Sequence, residues 1–525
     1  MSSVPVALRN LLIYALCIPL ALFLGYQLST PMSYESVATF GIVLTVLVTP
    51  LVLKWHRPLL FFAINASMMI PVWGRPKLGL VMVAVSLGVS ILQRTIQQRF
   101  RFLSAPEITA PLMGITVVLL FTAFLRGGFG LHAFGGSNVG SSRYLMMLLG
   151  VLCFFAMTAQ PIPAHRRNLY VGLFFLSGVT AVVGDFFSVI SPSLYLIYLV
   201  FPALSVSGTA DLSFGATRLI GFTTLAVSFM NFMLARSGIR GLLLEGKRGR
   251  GIVFIGLCLL MFLGGFRSVL IHVALMLGLM FWLERLYRTR LVVPLILGGV
   301  LVVTLTLVFL PQLPFTFQRS LAFLPVNVSP EARIDADGSS EWRVQMWKSV
   351  LPEIPNYLLL GKGLSFSEAD FQASTSRELS SRNPDQWLWA VIAGDYHNGP
   401  LSALLTFGIW GFIALVWFHI AGWRVMVLAW RNGNPEIRLL NSFLLAKFLV
   451  HLISFWFVTG SMYSEMLIFS SILGFSVALN GGVCRVPFSA AAPSEPAPTA
   501  PGPLRLRPRP ALAVAREHAG TSRAG

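Results

Sequence analysis

Charge is what this chain lacks most. Asp, Glu, Lys and Arg make up 11% of its 525 residues, whereas a soluble domain carries about 25%. That shortage excludes an ordinary water-soluble enzyme of this size, whose surface would need far more charge to stay solvated. Cysteine is also scarce. Cys17, Cys153, Cys258 and Cys484 are scattered, and three of them lie within apolar runs. No CxxC pair or His/Cys cluster occurs, so neither a zinc ribbon nor a disulfide framework organises the chain. HExxH and GxSxG are missing as well. The glycine-rich stretch LRGGFGLHAFGG (125–136) lacks the strand–turn–helix setting of a phosphate-binding loop and reads as a flexible outer loop. The short alternating segments of a transmembrane β-barrel are absent too.

What the chain has is hydrocarbon. Hydrophobic residues make up 55% of it, and its mean hydropathy is +0.75. Apolar runs of roughly 18 residues, each long enough to cross a bilayer, recur along most of its length. They predict an all-α polytopic membrane protein of about 14 spans, near 11–28, 37–53, 58–73, 78–93, 108–125, 144–160, 169–187, 217–235, 252–266, 268–283, 291–310, 399–418, 439–458 and 464–480. The first run follows Arg9 without an A-x-A cleavage site and reads as a signal anchor. The stretch 193–206 holds Pro202 and reads as an interfacial or re-entrant segment.

The net charge of +19 is no footprint of nucleic acid, because the basic residues sit in short connections between apolar runs. One set of connections carries nineteen Lys and Arg residues. The other carries six: Arg75, Lys77, Arg126, Arg143, Arg218 and Arg267. The positive-inside rule then puts both termini in the cytoplasm. Residues 1–310 form spans one to eleven, 311–398 an external cap, 399–485 the last three spans, and 486–525 a disordered Pro/Ala/Arg-rich tail that could touch anionic lipid. The cap holds ten of the twenty acidic residues and two helix-like patches, SEWRVQMWKSVLPEI and DQWLWAVIAG. A long connection of this kind is usually functional.

Several polar groups collect on the external side under this topology. Arg218 opens a span, Arg267 sits in the tight turn GGFRS, and Arg343 lies in the cap. Arginine at a membrane edge is costly unless it is paired or wetted, and its planar donors suit phosphate oxygens. Each residue also has a simpler reading. Arg218 could snorkel to the interface, Arg343 could pair with Glu341 or Glu353, and His397 with Asn398 could only cap a helix. Lys447 and His451 share one helix face deep in a span, as a proton or ion path or as a structural contact to Glu465 or a carbonyl. Asp185 and Glu465 lie toward outer ends of spans and could act as counter-charges.

His397 and Asn398, nine residues, then Gly408 and Gly411 resemble the H-[NSQ]-x9-G-x-x-[GTY] pattern of bacterial O-antigen ligases. Upstream, Arg343, Trp347, Pro355, Gly361 and Gly363 resemble the R-x-x-x-W…P-x-x-G-x-G stretch of the same superfamily. Arg218 in RLIG looks like its R-x-x-G. FRSVL resembles its S-R-G turn loosely, and the usual Pro-Asn pair after Arg218 is replaced by Asn231 alone. The resemblance spans about 215–480. It implies a membrane glycosyltransferase that moves a glycan from polyprenyl (undecaprenyl) diphosphate to an acceptor hydroxyl on the periplasmic face of the bacterial inner membrane. The acceptor would be another glycan or a lipid A core, so a ligase and a polymerase both fit, and neither needs a metal or cofactor. In that reading His397 and Asn398 are catalytic, Arg218, Arg267 and Arg343 bind the diphosphate, and Trp347, Gly361, Gly363, Gly408 and Gly411 support the motif. The rival class is a transporter of a small anion or lipid-linked glycan, which Lys447 and His451 suggest. Against it, the sequence shows no convincing internal repeat.

Overall fold

The computed structural model describes residues 34–71, 75–97, 102–126, 141–191, 194–204, 218–244, 248–290, 292–364 and 394–487, with a few isolated positions besides. All regular elements among them are helical. In chain order they are α1 (Tyr34–Asn65), α2 (Leu78–Ile96), α3 (Pro106–Leu125), α4 (Ser141–Met157), α5 (Arg167–Leu176), α6 (Ala181–Ile190), α7 (Ile220–Ile239), α8 (Arg248–Leu260), α9 (Arg267–Leu283) and α10 (Val292–Phe309). Two cap helices follow, α11 (Phe315–Leu321) and α12 (Pro330–Val350), then α13 (Gly399–Asn432), α14 (Arg438–Ile453) and α15 (Met462–Asn480). Helices are what apolar runs of this length must form in hydrocarbon, because only a helix satisfies its backbone hydrogen bonds within one segment.

Where the sequence predicts about 14 spans, seven helices among the described residues are long and apolar enough to cross a membrane. Four shorter apolar helices, Ser142–Met157, Gly249–Gly264, Arg267–Leu283 and Ile296–Gln312, fall on further expected spans. α7 has spanning length but carries Thr223, Thr224, Ser228 and Asn231. The expected spans 37–53 and 58–73 share α1, which bends at Trp55 (φ −114°) rather than opening into a loop. Pro58 explains the bend, since it removes a donor and crowds the carbonyl four residues back. Arg57, expected in that loop, is instead buried and donates to the Gln160 side chain at 3.1 Å. The span expected at 169–187 is one continuous helical run, Ala164–Ile190, in which a tighter turn at Ser177–Thr180 joins α5 to α6. The 193–206 segment holds only the six-residue helix Tyr195–Val200, far too short to span. The run at 11–28, the glycine-rich loop, most of the patch DQWLWAVIAG and nearly all of the tail lie outside the described residues.

The core is aromatic and small at once. Phe61, Phe154, Phe418, Phe443, Phe448, Phe455, Phe469 and Phe475 are almost fully buried. Between them, small residues let helices approach closely, the usual device where lipid removes most of the hydrophobic drive for helix association. α4 and α15 pack most extensively. A Cβ on Gly150 would sit 3.0 Å from the Leu467 nitrogen, and one on Gly474 would sit 3.0 Å from Met157 Cβ. The outer faces are greasy in turn: Ile296, Leu297, Val300 and Leu301 on α10 are exposed, as a lipid-facing surface requires.

Replacing Gly150 or Gly474 by leucine is therefore expected to overpack the α4–α15 seam by about 1–3 kcal/mol. Thermal unfolding in detergent should show a lowered Tm for both. Gly278→Leu, at a position with no atom within 4 Å of a new Cβ, should leave it unchanged.

Candidate active site

The site forms where α7, α9, α13 and α15 begin, and the cap helix α12 lies across it. α12 starts at Ser329, whose side chain accepts from the Ala332 amide. Along it, Asp335, Ser339, Trp342 and Met346 recur at intervals of three and four, so they share one face. That face is the ruler of the site. At its beginning, Asp335 Oδ2 accepts from Arg319 Nε and lies 3.4 Å from Arg218 Nη2. Arg319, on α11, also donates through Nη1 to the Gly265 carbonyl at 2.5 Å. One turn on, Arg267 Nη2 donates to the Ala336 carbonyl (2.9 Å), Ser339 Oγ (2.7 Å) and Ser340 Oγ (3.0 Å). Arg343 follows, its guanidinium 5.7 Å from the Trp342 ring. Trp342 meets the His397 ring edge-on at 5.1 Å, and Trp347 Nε1 donates to the Tyr396 carbonyl at 2.8 Å. At about 1.5 Å per residue, the seven residues from Asp335 to Trp342 separate arginine cluster from histidine by about 10 Å.

The structure thus brings together Arg218, Arg267, Arg343, His397 and Asn398, the five residues that the sequence singles out for external chemistry. It also corrects their surroundings. The arginines have a carboxylate among them, because the partly buried Asp335 joins Arg218 to Arg319. Arg343 does not pair with Glu341 or Glu353. Glu353 holds Lys362 at 2.8 Å, and Glu341 accepts from Gln345. Arg343 instead keeps a buried Nε with no hydrogen-bond partner among the described residues. Burial lowers its pKa first, and Arg267 lowers it further.

His397 adopts φ +46°, a left-handed conformation uncommon outside glycine. Its amide donates to Asp395 Oδ1 at 3.2 Å, which helps hold that turn. Nδ1 lies 3.5 Å from both Asp395 Oδ1 and Thr459 Oγ1. Burial lowers the pKa of His397 first; Asp395 opposes this, and Arg343 adds to it. The imidazole is therefore neutral, and able to accept a proton, at neutral pH. Asn398 is the N-cap of α13, with Oδ1 accepting from the Leu401 amide at 3.0 Å. Its amide nitrogen has no partner among the described residues, so the cap uses only half of the side chain.

The motif glycines are a joint. α13 breaks at Gly408 (φ +67°), and the segment 358–363 fills the gap with its own backbone. Ile409 N donates to Leu358 O (2.6 Å), Lys362 N to Leu405 O (2.7 Å) and Gly363 N to Thr406 O (2.9 Å). Gly361 and Gly363 also have positive φ, and Gly363 leaves no room for a Cβ beside the Tyr144 hydroxyl at 2.8 Å. At Gly411, a Cβ would collide with the Phe407 side chain. Asp335, Arg319, Asp395, Thr459 and Trp342 went unnoticed in the sequence. Only Asp395, two residues before His397, carried a local signal.

Lys447 and His451 lie apart from this site. Lys447 Nζ is 3.1 Å from His272 Nε2, and His451 Nε2 approaches Glu465 Oε2 to 2.7 Å, at an angle outside hydrogen-bond geometry. Asp185 is fully buried and accepts from the Gly221 amide at 2.5 Å, capping α7 from a neighbouring helix.

Residues 252–416 match the family model described as O-Antigen ligase (Wzy_C). Over that segment the chain is similar to the O-antigen ligase/polymerase superfamily, whose members are glycosyltransferase-like enzymes. It includes Arg267, Arg319, Asp335, Arg343, His397, Asn398, Gly408 and Gly411, and leaves Arg218 outside. No curated protein matches the chain.

Gly408→Ala should lower stability by about 1–3 kcal/mol, the usual cost of a backbone conformation reserved for glycine, with a further loss because the new Cβ would lie 2.8 Å from Leu358 O and Leu359 O. Thermal unfolding would measure it. Asn398→Ala should cost about 1 kcal/mol as a lost cap, and Asn398→Asp should restore most of that.

Proposed function

We propose that this chain, with its O-antigen ligase segment, transfers a glycan from polyprenyl diphosphate to an acceptor hydroxyl at the periplasmic face of the bacterial inner membrane. One observation carries the reading. A neutral, acceptor-ready histidine sits about 10 Å along one helix from the Arg218–Asp335–Arg319 cluster, and Arg343, between them and beside the histidine, has a buried N–H with no hydrogen-bond partner among the described residues. The positive-inside bias supports an external position for this end of the bundle.

The acceptor oxygen attacks the anomeric carbon, and the bond from that carbon to the diphosphate oxygen breaks. The electron pair leaves with polyprenyl diphosphate. The acceptor hydroxyl loses its proton to His397, whose Nδ1 is turned toward Asp395 and Thr459 so that Nε2 faces the acceptor. Arg343 and Arg267 stabilise the negative charge that grows on the leaving group. Arg218 and Arg319 lie behind them on Asp335 and hold the positive cluster in place. The Asn398 amide nitrogen can donate to a sugar hydroxyl while its oxygen caps α13. A polymerase would run the same step with a second lipid-linked glycan as acceptor.

The test is reconstitution of the full chain with labelled polyprenyl-diphosphate glycan and candidate acceptors. His397→Ala should slow release of polyprenyl diphosphate by about 10²–10⁴-fold, and Arg343→Ala by about 10²–10³-fold. Release that survives in both variants would sink the assignment. In the active protein, kcat/KM should fall as pH drops through a pKa below 6.5, because burial lowers the His397 value. Asp395→Asn should move that break to still lower pH, since Asp395 raises the pKa.

A further inference from the structure

A second basic pocket, of about 360 Å³, opens at the far end of the bundle. α7 fixes its distance from the first site: it begins just after Arg218 and carries Arg236 in its last turn, about 30 Å away along the axis. The pocket lies between the start of α5, the end of α7 and the short turn Pro435–Ile437 that leads into α14. Its one lining carboxylate, Glu436, is already engaged by Arg167 Nη1 at 3.1 Å. The donors that remain outnumber any acceptor. Arg167 Nε is buried with no hydrogen-bond partner among the described residues. Neither the Arg236 guanidinium nor the Asn168 amide has a hydrogen-bond or ion-pair partner among the described residues. Apolar walls from Phe232 and Leu440 stand beside these donors.

Planar guanidinium donors beside a carboxamide suit the oxygens of a phosphate group. Three features favour a lipid as its source: the apolar walls, the position at the end of membrane helices, and the charge bias that assigns this end to the cytoplasmic leaflet, where anionic lipids are found. The polyprenyl diphosphate of the transfer site cannot serve, because its phosphates lie at the opposite end of α7.

We infer that this pocket holds the phosphate of an anionic membrane phospholipid, with Arg236, Arg167 Nε and Asn168 on the headgroup and Phe232 and Leu440 along its glycerol and acyl chains. The site is independent of glycan transfer, and its test reads binding instead of activity.

The full chain is purified in detergent and titrated with phosphatidylglycerol or phosphatidylcholine, and both the Tm and the lipids retained in native mass spectrometry are followed. Phosphatidylglycerol should raise the Tm by several degrees and remain bound, and phosphatidylcholine should do neither. An Arg236→Gln/Asn168→Leu double variant should lose most of the shift and the retained lipid, and Arg236→Lys should recover part of both. Equal protection by phosphatidylcholine would overturn the proposal. So would undiminished phosphatidylglycerol retention in the double variant. If that variant is itself less stable without lipid, retention per folded chain decides. Arg236-dependent protection by inorganic phosphate alone would assign the pocket to a soluble anion and overturn the lipid reading.

Discussion

In a bundle surrounded by hydrocarbon, every break in a helix exposes backbone groups that lipid cannot satisfy. The break at Gly408 is closed by another stretch of chain, residues 358–363, which supplies donors and acceptors to both sides of the gap. Much else follows from that joint. It ties the descending end of the cap to the first half of α13, and it fixes where α13 begins. It therefore sets the height of Asn398 and His397 just above the helix. Arg126 strengthens the same joint from α3, donating through Nε to the Gly361 carbonyl at 2.9 Å. The motif's glycines are structural in this sense. They build the platform on which the histidine stands.

The electrostatics depend on the second element of the cap, α12. A cluster of arginines at a membrane edge repels itself, and it holds together because α12 meets it with a partly buried carboxylate, a carbonyl and two serine hydroxyls. Asp335 neutralises the rear of the cluster, at Arg218 and Arg319, and leaves Arg343 toward the histidine. The positive potential is thus graded along one helix face. In the transfer proposed above, that grading gives the leaving group and the base separate places along α12.

The buried charges elsewhere serve packing. Lys447 and His272 meet between α14 and α9, His451 and Glu465 between α14 and α15, and Arg57 closes onto the turn at 160–161. Each is a polar group that hydrocarbon would penalise and that finds a partner on a neighbouring helix. Glu465 was anticipated as a counter-charge, but for the Lys447 face generally; His451 takes it. His272, the partner of Lys447, gave no sign of its role, because it lies 175 positions away.

Apolar runs made the helical class and the membrane setting readable, because hydrocarbon admits so few backbone solutions. The H-N-x9-G-x-x-G spacing made the candidate histidine and the family resemblance readable, because a helix break and its cap must fall at fixed intervals. Charge bias chose the side on which to look. Composition could not say that two expected spans share one bent helix, since a proline bend and a short loop look alike in sequence. Nor could it supply Asp335, Arg319, Asp395 or Thr459. These are ordinary polar residues, and only the way α11, α12 and the segments leading into α13 and α15 fold together decides that they face the arginines and the histidine. Local order along the chain is set by short-range sterics and hydropathy. The pairing of charges is set by contacts between distant segments, and it becomes visible only once the tertiary structure closes those distances.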